Sequence, residues 1–255
     1  MIINEILPYP TVKQVIFQIT YPNLFYLESK MGNIQQKIMN DFPKSNLIFR
    51  RNLFRINVGM GNPPSGPENA PPEKIWQFES MSGTVVTFSS TSLDINSKSH
   101  NTYDSGNDDN KKFKLAIKKV VDTFIEETGL PIINRVGLRY IDHCPLVRRD
   151  SETLRTWYDS KLPSQKFEIA NAEAMAFQTK IKIGQYYLGY AEAIAKLEGK
   201  DWLLLDFDGS AENINAPDYL DITNKLHELI AEEYAKTIKG KEGPLYKLMK
   251  TGMVE

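Results

Sequence analysis

Residues 131–145, PIINRVGLRYIDHCP, alternate most clearly from Arg135 to Tyr140, and this period of two constrains the fold more than any other feature of the chain. Successive side chains of a strand point to opposite faces, so Arg135, Gly137, Arg139, Ile141 and His143 share one side. Val136, Leu138, Tyr140 and Asp142 share the other. On the cationic face a glycine separates two guanidinium groups, which admits an anion close to the backbone; a valine at Gly137 would block it. The same row also serves as a line of structural salt bridges, and the sequence leaves both readings open.

The rest of the chain supplies partners for such a strand. Residues 12–21 place Val15, Phe17, Ile19 and Tyr21 on one face, and a helix opened by Pro22 and Asn23 runs to about Asp41 with Leu27, Met31, Ile34 and Ile38 as its stripe. Strands are expected over 47–58, 75–80 and 84–95, the last two forming a hairpin at Ser82 and Gly83. A mobile Gly/Pro loop is expected over 59–74. Phe113, Ile117, Val120, Val121, Phe124 and Ile125 mark a long helix that Gly129 caps and Pro131 stops. The second half repeats this order: the Arg135 strand, a short helix over 151–160, strands near 167–183, 186–197 and 201–208, and a helix over 221–239. We expect an α+β fold of two β-α-β-β-β-α halves, residues 1–130 and 131–255, forming a mainly antiparallel sheet with helices packed on one side. The halves share no residue-level similarity, so duplication is an inference from architecture alone.

At 255 residues and 41% hydrophobic the chain can bury a sizeable core. Its 31 basic and 32 acidic residues nearly cancel, so no global field draws it to nucleic acid or an anionic membrane. Cys144 is the only cysteine, which excludes an intrachain disulfide and a thiolate metal cluster and favours a reducing, cytoplasmic setting. No secretory signal or membrane-length apolar run is present, so no membrane partner is expected.

Candidate chemistry is sparse. Asp206 and Asp208 in LLLDFDG are read as sharing a face at a strand end, where two carboxylates can hold a divalent cation; no other cofactor is expected. The simpler account is turn formation before Gly209, or pairing of Asp206 with an arginine of the Arg135 strand. His100, His143 and His227 stand in no metal-ligand spacing, and His143 with Cys144 cannot form a dyad because strand neighbours face opposite ways. The GxSxG, GxxxxGK[ST] and GxGxxG signatures are missing. Arg50, Arg51 and Arg55, interleaved with Phe49 and Phe54 and extended by Arg148 and Arg149, offer a local nucleic-acid surface; an arginine-guarded sheet edge is the simpler account. If 170–176 and 189–195 are strands, Ala170, Ala172, Ala174 and Ala176, and then Gly189, Ala191, Ala193 and Ala195, line faces of small residues that suit close helix packing or a shallow groove.

RVGLRYID after a long amphipathic helix, LLLDFDG some sixty residues on, and the terminal LDITNKLHELIAEEYAKTI together resemble an uncharacterised, sporadically distributed bacterial protein family of about this length. VKQVIFQITY, IWQFES and VTFSS fall in the expected order, so the resemblance covers most of the chain. It carries no established activity. The leading expectation is a non-catalytic binding or interaction protein that takes a small anionic ligand or a protein partner between its halves, using Arg135, Gly137, Arg139 and His143. The alternative is a metal-dependent phosphoester or nucleotide enzyme using Asp206 and Asp208.

Overall fold

The computed structural model describes residues 5–50, 72–163 and 167–252. Arg51, Phe54, Arg55 and most of the Gly/Pro segment lie outside them. Within them the chain forms a mixed α+β fold around one nine-stranded antiparallel sheet of order β2-β3-β4-β5-β1-β6-β9-β8-β7. The strands are β1 (Val12–Thr20), β2 (Lys44–Arg50), β3 (Glu73–Glu79), β4 (Val85–Phe88), β5 (Ser92–Ser97), β6 (Ile132–Pro145), β7 (Met175–Ile183), β8 (Tyr186–Leu197) and β9 (Lys200–Asn215). Helices α1 (Leu27–Ile38), α2 (Phe113–Thr128), α3 (Ser151–Trp157), α4 (Tyr219–Thr237) and α5 (Pro244–Thr251) complete it. No described helix is long and apolar enough to cross a membrane.

Alternation decides which face is covered. Val15, Phe17 and Ile19 of β1, Val136 and Leu138 of β6, and Leu203, Leu205 and Phe207 of β9 are all buried. They join one core with the stripes of α1, α2 and α4. The residues between them, including Gln18, Arg139, Asp206 and Asp208, stay partly exposed on the opposite face. That open face also carries Gly189, Ala191, Ala193 and Ala195 of β8, which stay partly exposed opposite Asp208, Asp206, Leu204 and Trp202 of β9. Residues 170–174 precede β7, with Ile169–Asn171 in a short 3-10 turn, so Ala170, Ala172 and Ala174 form no strand face.

Three local outcomes differ from the periodicity. The stretch expected as one strand over 84–95 folds back at Ser89–Thr91 into the β4–β5 hairpin, where Ser89 Oγ accepts the backbone N–H groups of Thr91 and Ser92. A further helix, α5, follows α4 and begins at Pro244, an N-terminal position that suits proline. Most relevant to the site, β9 does not end near Asp208 but continues to Asn215, which places Asp206, Asp208 and Gly209 in mid-strand. Gly209 faces α4, and a Cβ there would lie 3.2 Å from Ile230 Cδ1 and 3.3 Å from Leu226 Cβ. The glycine therefore permits close helix-on-sheet approach and forms no turn.

Candidate functional site

The arginine row lies on the open face at the β1–β6 junction. Arg135 Nη2 donates to both carboxylate oxygens of Asp208 at 3.0 and 3.1 Å, and its Nη1 donates to Gln18 Oε1 at 3.2 Å. Gln18 in turn donates to Asp94 at 2.5 Å, and Ser92 donates to the other Asp94 oxygen at 3.2 Å. Burial raises the Asp94 carboxyl above its ordinary range, while these two donors oppose the shift. Arg139 forms a fork-to-fork pair with Asp206, Nε to Oδ1 at 2.8 Å and Nη2 to Oδ2 at 2.5 Å. Each arginine on this face thus already holds a carboxylate from β9.

This arrangement assigns the predicted residues plainly. Asp206 and Asp208 are guanidinium partners, and a divalent cation would have to displace both arginines to reach them. Among the described residues no group of three or more His, Cys, Asp or Glu side chains is placed to hold a metal ion. Gly137 is the floor on which the Arg135 head rests, since a Cβ there would overlap that guanidinium. The small depression of about 270 Å³ around Ile16, Gln18, Arg135, Gly137, Arg139 and Asp208 is lined largely by these satisfied pairs. His143 stands apart from it. Four residues beyond Arg139, a separation of roughly 13 Å, it faces Trp202 with ring centroids 6.2 Å apart. Cys144, its neighbour, is buried on the covered face. Arg148 pairs with Asp150 and Glu152, and Arg149 with Asp201 and the carbonyls of 169, 172 and 173, so neither extends a free basic surface.

The role of Gly137 is open to a double-mutant test. G137V alone should cost about 1 kcal/mol, by pushing the Arg135 head off Asp208 and Gln18. In an R135A background the same change should be neutral or stabilising, because a β-branched residue suits a central strand. Equal costs in both backgrounds, from urea unfolding, would show that Gly137 serves something other than Arg135.

A second group of residues converges on the covered side. Tyr140 and Asp142 project from β6 toward α4, on which His227, Ile230, Ala231 and Tyr234 fall along one stripe at helical spacing. Phe207 of β9 pairs directly with Tyr140 and lies at their base. Thr11, just before β1, donates from Oγ1 to Asp142 Oδ1 at 2.8 Å and shares a 2.7 Å hydrogen bond with the Tyr234 hydroxyl. With the Thr11 proton on Asp142, the chain runs Tyr234 to Thr11 to Asp142. The Tyr140 hydroxyl meets His227 Nδ1 at 3.1 Å, and the His227 ring stacks on Tyr103 at 4.2 Å. These groups border a cleft of about 160 Å³, closed by Leu7, Val12 and Met249.

Burial tunes this cluster. Asp142 is pushed up to about 7, chiefly by desolvation, with the Thr11 hydrogen bond opposing. His227 is pushed down to about 4 by the same cause and stays neutral. The phenols of Tyr140 and Tyr234 are raised and stay protonated. Two titratable groups driven in opposite directions beside one cavity mark a stronger site candidate than the paired arginines. The sequence did carry a signal for it: an aspartate on the apolar face of a strand needs an explanation, whereas an arginine on the polar face does not. No family model, no curated protein and no solved structure matches this chain.

Proposed function

We propose that this chain is a non-catalytic binding protein whose small ligand occupies the cleft between the sheet and α4. One observation carries this reading: the cleft joins apolar walls to a buried carboxyl, three phenols and an imidazole, all lining one space. The open face, by contrast, presents guanidinium groups already matched by aspartates. We also read the chain as two strand-helix-strands-helix halves meeting at the β1–β6 pair. That reading keeps a second site in view, because the depression holding Arg139, with its side chain 45% exposed, sits at this junction and suits an anionic group.

One experiment separates the two. A mixed panel of small aromatic, amine, carboxylate and phosphate probes is screened by ligand-observed NMR against the wild type, A231W and R135A/R139A. Tryptophan at 231 fills the cleft from α4, so probe binding should disappear in A231W and survive in R135A/R139A. The opposite pattern, with phosphate as the surviving probe in A231W, would move the site to the arginine row.

A further inference from the structure

The cleft is chemically lopsided. Among the described residues two carboxylates line it, Glu5 and Asp142, and no lysine or arginine does. Glu5, at the mouth, already has partners, Lys241 Nζ at 2.7 Å and the Tyr246 hydroxyl at 2.5 Å. Asp142 is only 5% exposed, and the one described side chain it hydrogen-bonds is the Thr11 hydroxyl. The rings of Tyr140, Tyr234, Phe207 and Tyr103 line the same cleft. A buried carboxyl with no cation of its own among the described residues, in a cleft lined by aromatic rings, lacks only a positive guest: ring faces attract a cation, and an ionised carboxylate supplies its countercharge. An anionic guest would meet two acids there and no described basic side chain.

We propose that the cleft binds a small organic ammonium ion, a primary amine on a short aliphatic stem, with its charged head on Asp142 and its stem against Phe207, Ile230 and Met249. This assignment rests on the cleft being the ligand site and names the class of ligand it takes.

A pH signature follows from the groups that face Asp142. Tyr140 and Cys144 stand beside it on β6, Thr11 and Lys13 at the start of β1, Tyr234 and His227 on α4, Glu5 at the mouth, and Asp206 acts on it from β9. Lys13 favours the ionised form and Asp206 opposes it. The phenols stay protonated and His227 stays neutral near pH 7, so Asp142 is the cleft group whose charge changes there. An aliphatic amine remains cationic up to roughly pH 10. Its binding therefore draws Asp142 into the ionised form and releases a proton.

The test is a titration of the full chain with 1-butylamine and, in parallel, its neutral counterpart 1-butanol. The amine should bind in preference to the alcohol, with affinity rising about fivefold from pH 6 to 7, about tenfold from pH 6 to 8, and levelling above pH 8. Calorimetry in buffers of different ionisation enthalpy should show proton release below pH 7. D142N should lower amine affinity at least tenfold at pH 8; if that variant does not fold, the pH dependence and proton release of the wild type decide the question. Equal binding of amine and alcohol, or amine affinity indifferent to pH, overturns the ammonium assignment. If A231W still abolishes binding in that case, the cleft remains the ligand site and only the ligand class is wrong. Amine binding that survives A231W unchanged overturns both.

Discussion

Asp142→Asn and His227→Gln should change the pH dependence of stability in opposite directions. Asp142 is pushed up from 3.8 to about 7, so between those values the folded protein holds a proton that the unfolded chain has lost. Its contribution to stability is therefore lost as pH rises through that window. His227 is pushed down from 6.5 to about 4, so between those values the unfolded chain holds a proton that the folded protein refuses. Its contribution is present above 6.5 and lost as pH falls toward 4. The windows overlap, and in the wild type the two slopes largely cancel. Removing Asp142 should leave a stability that climbs with pH between about 4 and 6.5. Removing His227 should leave one that falls between about 4 and 7. Every tenfold difference in proton affinity between the folded and unfolded chain is worth about 1.36 kcal/mol, so each substitution should alter stability by on the order of 3 kcal/mol across its window. Urea unfolding at half-unit intervals from pH 4 to 8 measures it, and a D142N profile parallel to the wild type would show that Asp142 is ionised at neutral pH in the folded protein.

Phe207→Ala should be among the most damaging single substitutions. Phe207 is fully buried at the centre of β9, a strand bonded on both sides, and its ring lies 5.2 Å from Tyr190 and 6.1 Å edge-on from Tyr234. Removing such a side chain costs about 3–5 kcal/mol, because lost transfer energy adds to a cavity that a two-sided strand cannot collapse. For a chain of this size that lowers Tm by roughly 6–20 °C. Asp206→Ala, one residue earlier on the open face, removes a part-exposed ion pair and should cost about 1 kcal/mol or less. Scanning calorimetry on the two variants reads the contrast. A Phe207→Ala loss as small as that of Asp206→Ala would mean that the covered face is not the principal core.

Most of the architecture was legible because burial on one face writes itself into alternation. Val15, Phe17 and Ile19 and the α2 stripe follow directly from it, whereas β8 over Tyr186–Leu197, alanine- and glutamate-rich in its second half, is read as a strand from its surroundings. Gly129 closes α2 in the left-handed conformation at φ 64°, as its place before Pro131 suggests. What misled was local chemistry overruled by tertiary contact. Asp-Phe-Asp-Gly has the composition of a strand end, but α4 lies over Gly209, and the two aspartates have arginines across the ladder, so the strand runs on. Nothing within that tetrapeptide announces a helix that arrives later in the chain. The site was half visible: Tyr140 and Asp142 can be placed on the apolar face from sequence, but Thr11, His227 and Tyr234 are drawn to them only by the fold.

The one-sided sheet also guards against mispairing. If β9 slipped by a single residue against β6, Leu203, Leu205 and Phe207 would turn to water, and Asp206 and Asp208 would turn into the core. Exposing three large apolar side chains costs about 5–9 kcal/mol at the usual 1.5–3 kcal/mol apiece. Burying two carboxylates away from Arg139 and Arg135 adds several more. A shift of two residues restores the faces but sets Asp208 opposite Ile141 or Gly137, in place of Arg139. The shift toward Ile141 carries Asp208 two residues farther from Arg135 and Asp206 two residues farther from Arg139, so there the charged row marks the true alignment where hydrophobicity alone cannot; the shift toward Gly137 sets Asp206 opposite Arg139 and keeps its charges matched.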